Sequence, residues 1–143
     1  MTRIFRILAV SGIFFGLVLL AGCATLPKQE NTEESLRNTA SFYWELRMDD
    51  KYRNTFGMEY PETLKKDAGG SKPDYEAYLD RAKALRNTAI TSYSLKDVAV
   101  QDDKGRVSVE FVFTLPDIPK PVRQTIADEW IFHNGKWLHV LPR

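Results

Sequence analysis

The stretch Asp128–Leu141, which reads DEWIFHNGKWLHVL, decides the fold of this 143-residue chain. Its central Asn134-Gly135 dipeptide is typical of a two-residue type I′ turn, so the flanking residues are predicted to form an antiparallel hairpin. A two-residue turn places six side chains on one face of that hairpin: Asp128, Trp130, Phe132, Trp137, His139 and Leu141. Asp128 and His139 are diagonal neighbours on this face, within reach of a hydrogen bond.

Two longer strands are predicted upstream of the hairpin. Apolar side chains alternate with polar ones along Val107–Leu115, which is typical of a half-buried strand. The residues Asp102–Gly105 have the composition of a turn, so Ile90–Gln101 is predicted to be the strand before it. After an extended connection rich in proline, the third strand is predicted at Val122–Phe132 and the fourth at Trp137–Leu141.

Helical periodicity precedes the strands. One helix is predicted over about Thr32–Arg53, with Asn31 as its N-cap and Gly57 ending it. Met58–Lys72 contains a proline and a Gly-Gly-Ser sequence, which predict a loop with one short helical turn. A second helix, capped by Asp74, has an apolar stripe made of Tyr75, Tyr78, Leu79, Ala82 and Leu85. This order predicts an α+β fold, with N-terminal helices packed on a curved, mainly antiparallel four-stranded sheet.

The first 23 residues have the pattern of an export signal. Arg3 and Arg6 precede the uncharged apolar stretch Ile7–Leu20, and Leu20-Ala21-Gly22-Cys23 follows. This tetrapeptide resembles the lipobox of bacterial lipoproteins, which implies cleavage before Cys23 and acylation of that residue. Residues 1–22 are therefore interpreted as the signal peptide, 23–30 as a lipidated tether and 31–143 as a single domain. The alternative is an uncleaved N-terminal membrane anchor with an incidental cysteine.

The signal also predicts a location. Two or more acyl chains anchor a protein stably, so the membrane is the expected partner, through the lipid on Cys23. In Gram-negative lipoproteins a residue other than Asp after the cysteine, here Ala24, implies sorting to the outer membrane, on its periplasmic side. Cys23 is the only cysteine in the chain, so the domain has to be stable without disulfide bonds.

Three features of the sequence resemble the nuclear transport factor 2-like (NTF2-like) superfamily. They are Phe42-Tyr43-Trp44, Asp49-Asp50-Lys51-Tyr52 and the tryptophan-containing hairpin at 128–137. The resemblance covers about residues 31–141 and implies a curved sheet that wraps helices into a cone with an internal pocket. Relatives with catalytic activity place a His or an Asp inside that pocket. A cystatin-like or other helix-on-sheet domain is the alternative fold.

The Asp128–His139 pair is the candidate site. If the hairpin face lines a pocket, with Trp130 and Trp137 as ligand-pocket residues, the carboxylate raises the basicity of the imidazole and the pair could perform acid/base catalysis. The alternative is a structural pair, in which His139 packs on Trp130 and Asp128 holds its ring nitrogen. In that case Asp128→Asn is expected to be nearly silent.

Composition argues against several classes of function. A formal net charge of +1, with no basic stripe, gives no reason to expect a nucleic-acid partner. Two histidines and one lipidated cysteine cannot form a structural zinc site, and no phosphate-binding loop or hydrolase motif is present, so no metal or cofactor is expected. Three hypotheses remain: a non-enzymatic envelope lipoprotein that binds a small apolar ligand or an envelope protein, a small isomerase- or dehydratase-type enzyme using Asp128 and His139, and a structural subunit of an envelope complex.

Overall fold

The computed structural model describes residues 29–67, 69, 74–86, 90–115 and 117–142. Four helices come first in the chain: α1 at Glu33–Met48, α2 at Tyr52–Phe56, α3 at Pro61–Asp67 and α4 at Tyr75–Arg86. Four strands follow: β1 at Ile90–Gln101, β2 at Lys104–Phe113, β3 at Val122–His133 and β4 at Lys136–Val140. Cys23, the predicted signal peptide and most of the predicted tether lie outside the described residues. Within the described part, none of the helices has the length and apolar character needed to cross a membrane.

The strands form one antiparallel sheet in the order β1-β2-β3-β4, which confirms the predicted α+β class. The register of the last hairpin is also confirmed, since Phe132 pairs with Trp137 and Trp130 pairs with His139. Asn134 and Gly135 at its turn have φ angles of 53° and 75°, as a type I′ turn requires.

Two irregularities in β1 bend the sheet. Its register against β2 shifts between Ile90 and Ser92 and again between Leu95 and Val98. Bulges of this kind increase the local twist and curve the strand that carries them. The sheet therefore curls over the helices on its inner face. β2 begins at Lys104, three residues earlier than predicted, because only Asp102 and Asp103 form the turn.

The single helix predicted over residues 32–53 was wrong, because the chain breaks at Asp49 and Asp50. Asp50 adopts a left-handed φ of 61°, which a short polar side chain tolerates better than most. The amide of Lys51 then donates to the carbonyl of Leu46 at 2.9 Å, the bond of a Schellman helix end.

The start of α1 also differs from the expectation. Thr32, not Asn31, is the N-cap, and its hydroxyl accepts a hydrogen bond from the amide of Ser35 at 3.2 Å. Asn31 instead donates its side-chain amide to the carbonyl of Asp102 at 2.7 Å, which ties the start of α1 to the β1–β2 turn. The predicted cap of α4 is confirmed, since the Asp74 carboxylate accepts from the amide of Glu76 at 3.0 Å.

Two buried clusters hold the domain together. The larger lies between α1 and the inner face of the sheet and contains Leu36, Ala40, Tyr43, Trp44, Val107, Val109, Phe111, Trp130 and Trp137. The smaller joins α2, α3 and α4 to the chain after β4 and contains Tyr52, Leu64, Tyr78, Ala82 and Leu141. In the described part of the chain, all residues of both clusters lie between Leu36 and Leu141, so residues 28–143 contain this core.

Candidate functional site

A pocket of about 580 Å³ opens between the helices and the inner face of the sheet. This volume is within the range of sites that hold small molecules in proteins. Much of its wall is apolar and comes from α4, three strands and the chain end: Ala82, Ile90, Phe111, Phe113, Ile126 and Leu141. Polar side chains also line the wall: Arg47, Tyr78, Arg81, Gln124, Asp128, Glu129 and His139.

His139 lies between two carboxylates beside this pocket. Its Nδ1 is 2.7 Å from Oε2 of Glu59, and its Nε2 is 2.8 Å from Oδ1 of Asp128. We call these three residues the ion cluster. All three are buried, with exposed fractions of 2% for Glu59, 4% for Asp128 and 3% for His139. Burial of two carboxylates together is costly unless every oxygen is paired.

Donors from the surrounding elements complete that pairing. Oε1 of Glu59 accepts hydrogen bonds from the hydroxyls of Tyr43, at 2.7 Å, and Tyr78, at 2.9 Å. Oδ2 of Asp128 accepts from the indole nitrogens of Trp44, at 2.9 Å, and Trp130, at 3.3 Å. Each of the four carboxylate oxygens therefore has a donor. Within the described residues, no buried side-chain nitrogen or oxygen lacks a partner.

Backbone pairing at the sheet edge brings Glu59 to His139. The segment Met58–Tyr60 lies parallel to β4, where the amide of His139 donates to the carbonyl of Met58 at 2.9 Å. The amide of Tyr60 donates in turn to the carbonyl of His139 at 2.7 Å. The segment thus covers an edge that would otherwise expose unpaired backbone groups, and it aligns the Glu59 side chain with the imidazole.

The ion cluster fixes the protonation state of His139. Burial alone lowers the pKa of this imidazole, but the carboxylates of Glu59 and Asp128, through their charge and hydrogen bonds, outweigh it and raise the pKa to about 10. Both ring nitrogens face an acceptor, so the imidazolium, with two N–H donors, satisfies both contacts. Burial and the charge of Glu59 also raise the pKa of Tyr43 and of Tyr78, which keeps both hydroxyls protonated as donors.

Arg47 is a second buried cation near the cluster. Its Nη1 donates to the hydroxyl of Tyr78 at 3.1 Å, and only 8% of the residue is exposed. Arg47 and His139 together carry two positive charges, which balance the two negative charges of Glu59 and Asp128. The hydroxyl of Tyr78 connects Arg47 to the ion cluster, since it accepts from Arg47 and donates to Glu59.

Of the site residues predicted from the sequence, some line the pocket and others do not. Asp128 and His139 form the expected hydrogen bond and both reach the pocket wall. Trp130 and Trp137, expected as ligand-pocket residues, do not line the pocket. They are each 2% exposed and packed in the core, where Trp130 also binds Asp128. Cys23 lies outside the described residues.

This geometry favours the structural alternative for Asp128 and His139. A general base needs a free lone pair within reach of its substrate, and His139 has both nitrogens engaged by carboxylates. Nor does the described part of the chain contain a group of His, Cys, Asp and Glu side chains that could hold a metal ion.

Glu59 was missed by the sequence analysis. It lies in the segment predicted as a loop, and no spacing in the sequence connects it with His139, which is 80 residues away. The only local signal is its position in Met58-Glu59-Tyr60, where one acidic residue stands between two large side chains just before Pro61. Tyr43 and Tyr78 are buried in the core, and their hydroxyls also donate to Glu59.

Comparison with a solved structure supports the fold. No protein-family model matches the chain, and no curated protein matches it by sequence. A de novo designed NTF2 fold protein is similar over 77% of this chain and 85% of its own, with a TM-score of 0.52 and 14% identity. A candidate NTF2-like transpeptidase from Campylobacter jejuni is similar over 79% of this chain and all of its own, with a TM-score of 0.46 and 12% identity. The described domain therefore has the NTF2-like fold that its sequence resembles.

Proposed function

We propose that this protein is a membrane-anchored envelope lipoprotein whose domain binds a small, largely apolar ligand. The pocket of about 580 Å³ is the observation that carries the proposal, because a core that served only for stability would be filled. Apolar side chains such as Phe111, Phe113 and Ile126 provide the surface that such a ligand would cover. The NTF2-like fold is compatible with this role but does not by itself select it.

Binding has more support than catalysis. The acid and base that an isomerase or dehydratase would need are missing from the Asp128–His139 pair, because Glu59 and two indoles occupy their remaining contacts. A role as a subunit of an envelope complex has less support from the surface. Among the described residues, the exposed large apolar side chains are Phe42, Ile118 and Val122, of which one is aromatic.

The start of the domain is compatible with a short lipid tether. Gln29 is bound to the β3–β4 hairpin, since its side-chain oxygen accepts from the amide of Trp137 at 2.7 Å and its amide donates to the carbonyl of Gly135 at 3.2 Å. Six residues from Cys23 to Gln29 would span at most about 20 Å. An anchor on Cys23 would therefore hold the hairpin end of the sheet near the membrane. Phe113 and Gln124, which line the pocket, are near the opposite end.

A neutral apolar dye tests the ligand-binding proposal. We suggest titrating residues 28–143 with N-phenyl-1-naphthylamine, whose fluorescence rises in apolar surroundings. Ile126→Trp would place a bulky ring in the pocket, and we expect it to weaken dye binding about tenfold or more, a loss of about 1.4 kcal/mol. Thr125→Trp is the matched control, because this neighbouring residue is exposed on the other face of β3.

Two results would contradict the proposal. One is a wild-type domain that is folded by circular dichroism but does not bind the dye. The other is equal dye affinity in Ile126→Trp and Thr125→Trp, which would place the dye on the outer surface instead of in the pocket.

A further inference from the structure

Arg47 is a buried cation on the pocket wall, and two of its three side-chain nitrogens lack a hydrogen-bond partner in the described part of the chain. One of its terminal nitrogens binds the hydroxyl of Tyr78, and in the described part of the chain Nε and Nη2 have no hydrogen-bond partner. Every fully buried side-chain nitrogen there does have a partner, so these two nitrogens are reachable, and the residue lines the pocket. A guanidinium carries five N–H donors and stays charged at all ordinary pH values. Arg47 therefore has unused capacity for an acceptor within the pocket.

Aromatic rings hold this guanidinium in a fixed orientation. Its central carbon lies 5.6 to 6.0 Å from four ring centroids, those of Tyr43, Trp44, Tyr52 and Tyr78. Cation–π contacts and the bond to Tyr78 restrict the side chain before any ligand arrives. A preorganised planar fork loses little conformational freedom on binding, and it matches the two oxygens of a carboxylate or phosphate.

The cations on the pocket wall include a guanidinium that can accept an anion. Three cations lie on its wall: Arg47, His139 and Arg81, whose side chain donates to the carbonyl of Pro142. Two buried carboxylates, Glu59 and Asp128, are already bonded to His139. Arg47 and His139 balance these two carboxylates, and Arg47 keeps N–H donors that no hydrogen bond in the described part of the chain occupies. Glu129 also borders the pocket, but it is exposed, so water screens its charge.

We propose that the ligand is an amphiphile with an apolar body and an anionic head, and that Arg47 binds the head while the apolar wall covers the body. This inference rests on the proposed function and specifies its ligand class. Carboxylate and phosphate share the required chemistry, because each has at least two charged oxygens that can accept parallel hydrogen bonds from the planar guanidinium. Fatty acids and lipid phosphates are the two sources of such a molecule at a membrane.

Three ligands that share a twelve-carbon chain but differ in their head group measure how much the anionic head contributes to binding. We suggest calorimetric titration of residues 28–143 with dodecanoate, dodecyl phosphate and 1-dodecanol, each below the concentration at which it aggregates. The wild-type domain is expected to bind at least one of the two anions about tenfold more tightly than the alcohol, and the tighter head identifies the source. Arg47→Met should reduce anion binding to the level of the alcohol. Arg106→Met, which removes an exposed arginine on β2, should leave all three affinities unchanged.

The outcomes distinguish this inference from the proposed function. Equal affinity of the wild-type domain for all three ligands would overturn the inference alone, and binding of none of them would overturn both. Should Arg47→Met fail to fold, nitrogen NMR of the wild type gives the same test. Dodecanoate or dodecyl phosphate should shift the Nε–H signal of Arg47, and dodecanol should not. A signal that stays in place with a bound anion would overturn the role of Arg47.

Discussion

Glu59 and His139 are 80 residues apart in the sequence, and their side chains meet at 2.7 Å between Oε2 and Nδ1. Oδ1 of Asp128 lies 2.8 Å from Nε2, the other nitrogen of the same ring, so His139 links the segment before α3 to β3. A buried pair of this kind is not by itself a large source of stability, because its desolvation is expensive. Removal of one partner is a different matter, since it leaves the others buried without their charge partner.

Glu59→Gln is expected to destabilise the domain by about 3–5 kcal/mol, the cost of breaking a buried ion pair. The amide has one oxygen for the two tyrosine hydroxyls, and its NH2 group would face an N–H of His139. Urea unfolding of residues 28–143 measures the change. Glu45→Gln on the exposed side of α1 is the matched control and should stay within about 0.5 kcal/mol of wild type. Equal midpoints for the two variants would contradict the ion cluster.

Asp128→Asn is expected to lower the pKa of His139, because it removes one of the two carboxylates that raise this pKa to about 10. Carbon-13 NMR of the imidazole follows the titration directly. We do not expect this substitution to be silent for stability, because three donors converge on the Asp128 carboxylate and the oxygen of one amide cannot accept from all of them. A loss of about 1–3 kcal/mol is expected for the donor left unsatisfied. An unchanged His139 titration would show that the two side chains do not interact.

His139 should also give the domain a characteristic dependence of stability on pH. Its pKa is about 10 in the folded protein against 6.5 for the free side chain, so folding favours the protonated form. The stabilisation is complete below pH 6.5 and is lost as the pH rises through the folded value. Between pH 7.5 and 9 this group should contribute a fall of about 1.4 kcal/mol per pH unit.

Two histidine variants isolate that contribution. His139→Gln should remove most of the slope between pH 7.5 and 9, whereas His133→Gln, at an exposed turn position, should keep it. Chemical denaturation at four or five pH values provides the comparison. If wild type and His139→Gln had parallel profiles, His139 would not be charged in the folded state.

The sheet could be predicted from the sequence because its signals are local. Alternation along Val107–Leu115 and the Asn134-Gly135 turn fixed the strands and the pairing of Trp130 with His139, which the structure confirms. The break in the first helix could not be read in this way. Asp49-Asp50 is compatible with a helix, and the left-handed conformation of Asp50 becomes visible only in the structure.

Only part of the site could be predicted from local sequence patterns. The turn geometry alone brings Asp128 to His139, so this pair could be predicted. Glu59 reaches the same imidazole because Met58–Tyr60 adds to the edge of β4, and such a contact depends on the whole fold. Without Glu59 the pair resembles a catalytic dyad with a free nitrogen. With Glu59 in place, the same residues form a closed ion cluster.

Gly105 provides a test of the packing at the inner face of the sheet. A Cβ added there would lie 2.4 Å from Cδ2 of Leu36 and 2.9 Å from Cζ3 of Trp137, closer than carbon atoms can approach. Gly105→Ala is therefore expected to destabilise the domain by about 1–3 kcal/mol. Gly57→Ala is the control, since its nearest neighbour is at 3.4 Å and its φ of −70° suits any residue. The control should be neutral or slightly stabilising, and similar losses in both variants would contradict this packing.

Lipid attachment at Cys23 is the prediction on which the location depends, and it is tested on the full chain expressed in bacteria. The wild type should lose the mass of residues 1–22, gain acyl chains and enter the detergent phase of a Triton X-114 extraction, because several chains together make anchoring stable. Cys23→Ala should accumulate as an unprocessed or differently cleaved precursor, since it lacks the thiol that carries the lipid. Thr25→Ala is the matched control, because it leaves Leu20-Ala21-Gly22-Cys23 intact and should behave as the wild type. A mature wild-type protein of unmodified mass in the aqueous phase would rule out lipidation, while the pocket and the ion cluster, which lie wholly within residues 43–142, would remain.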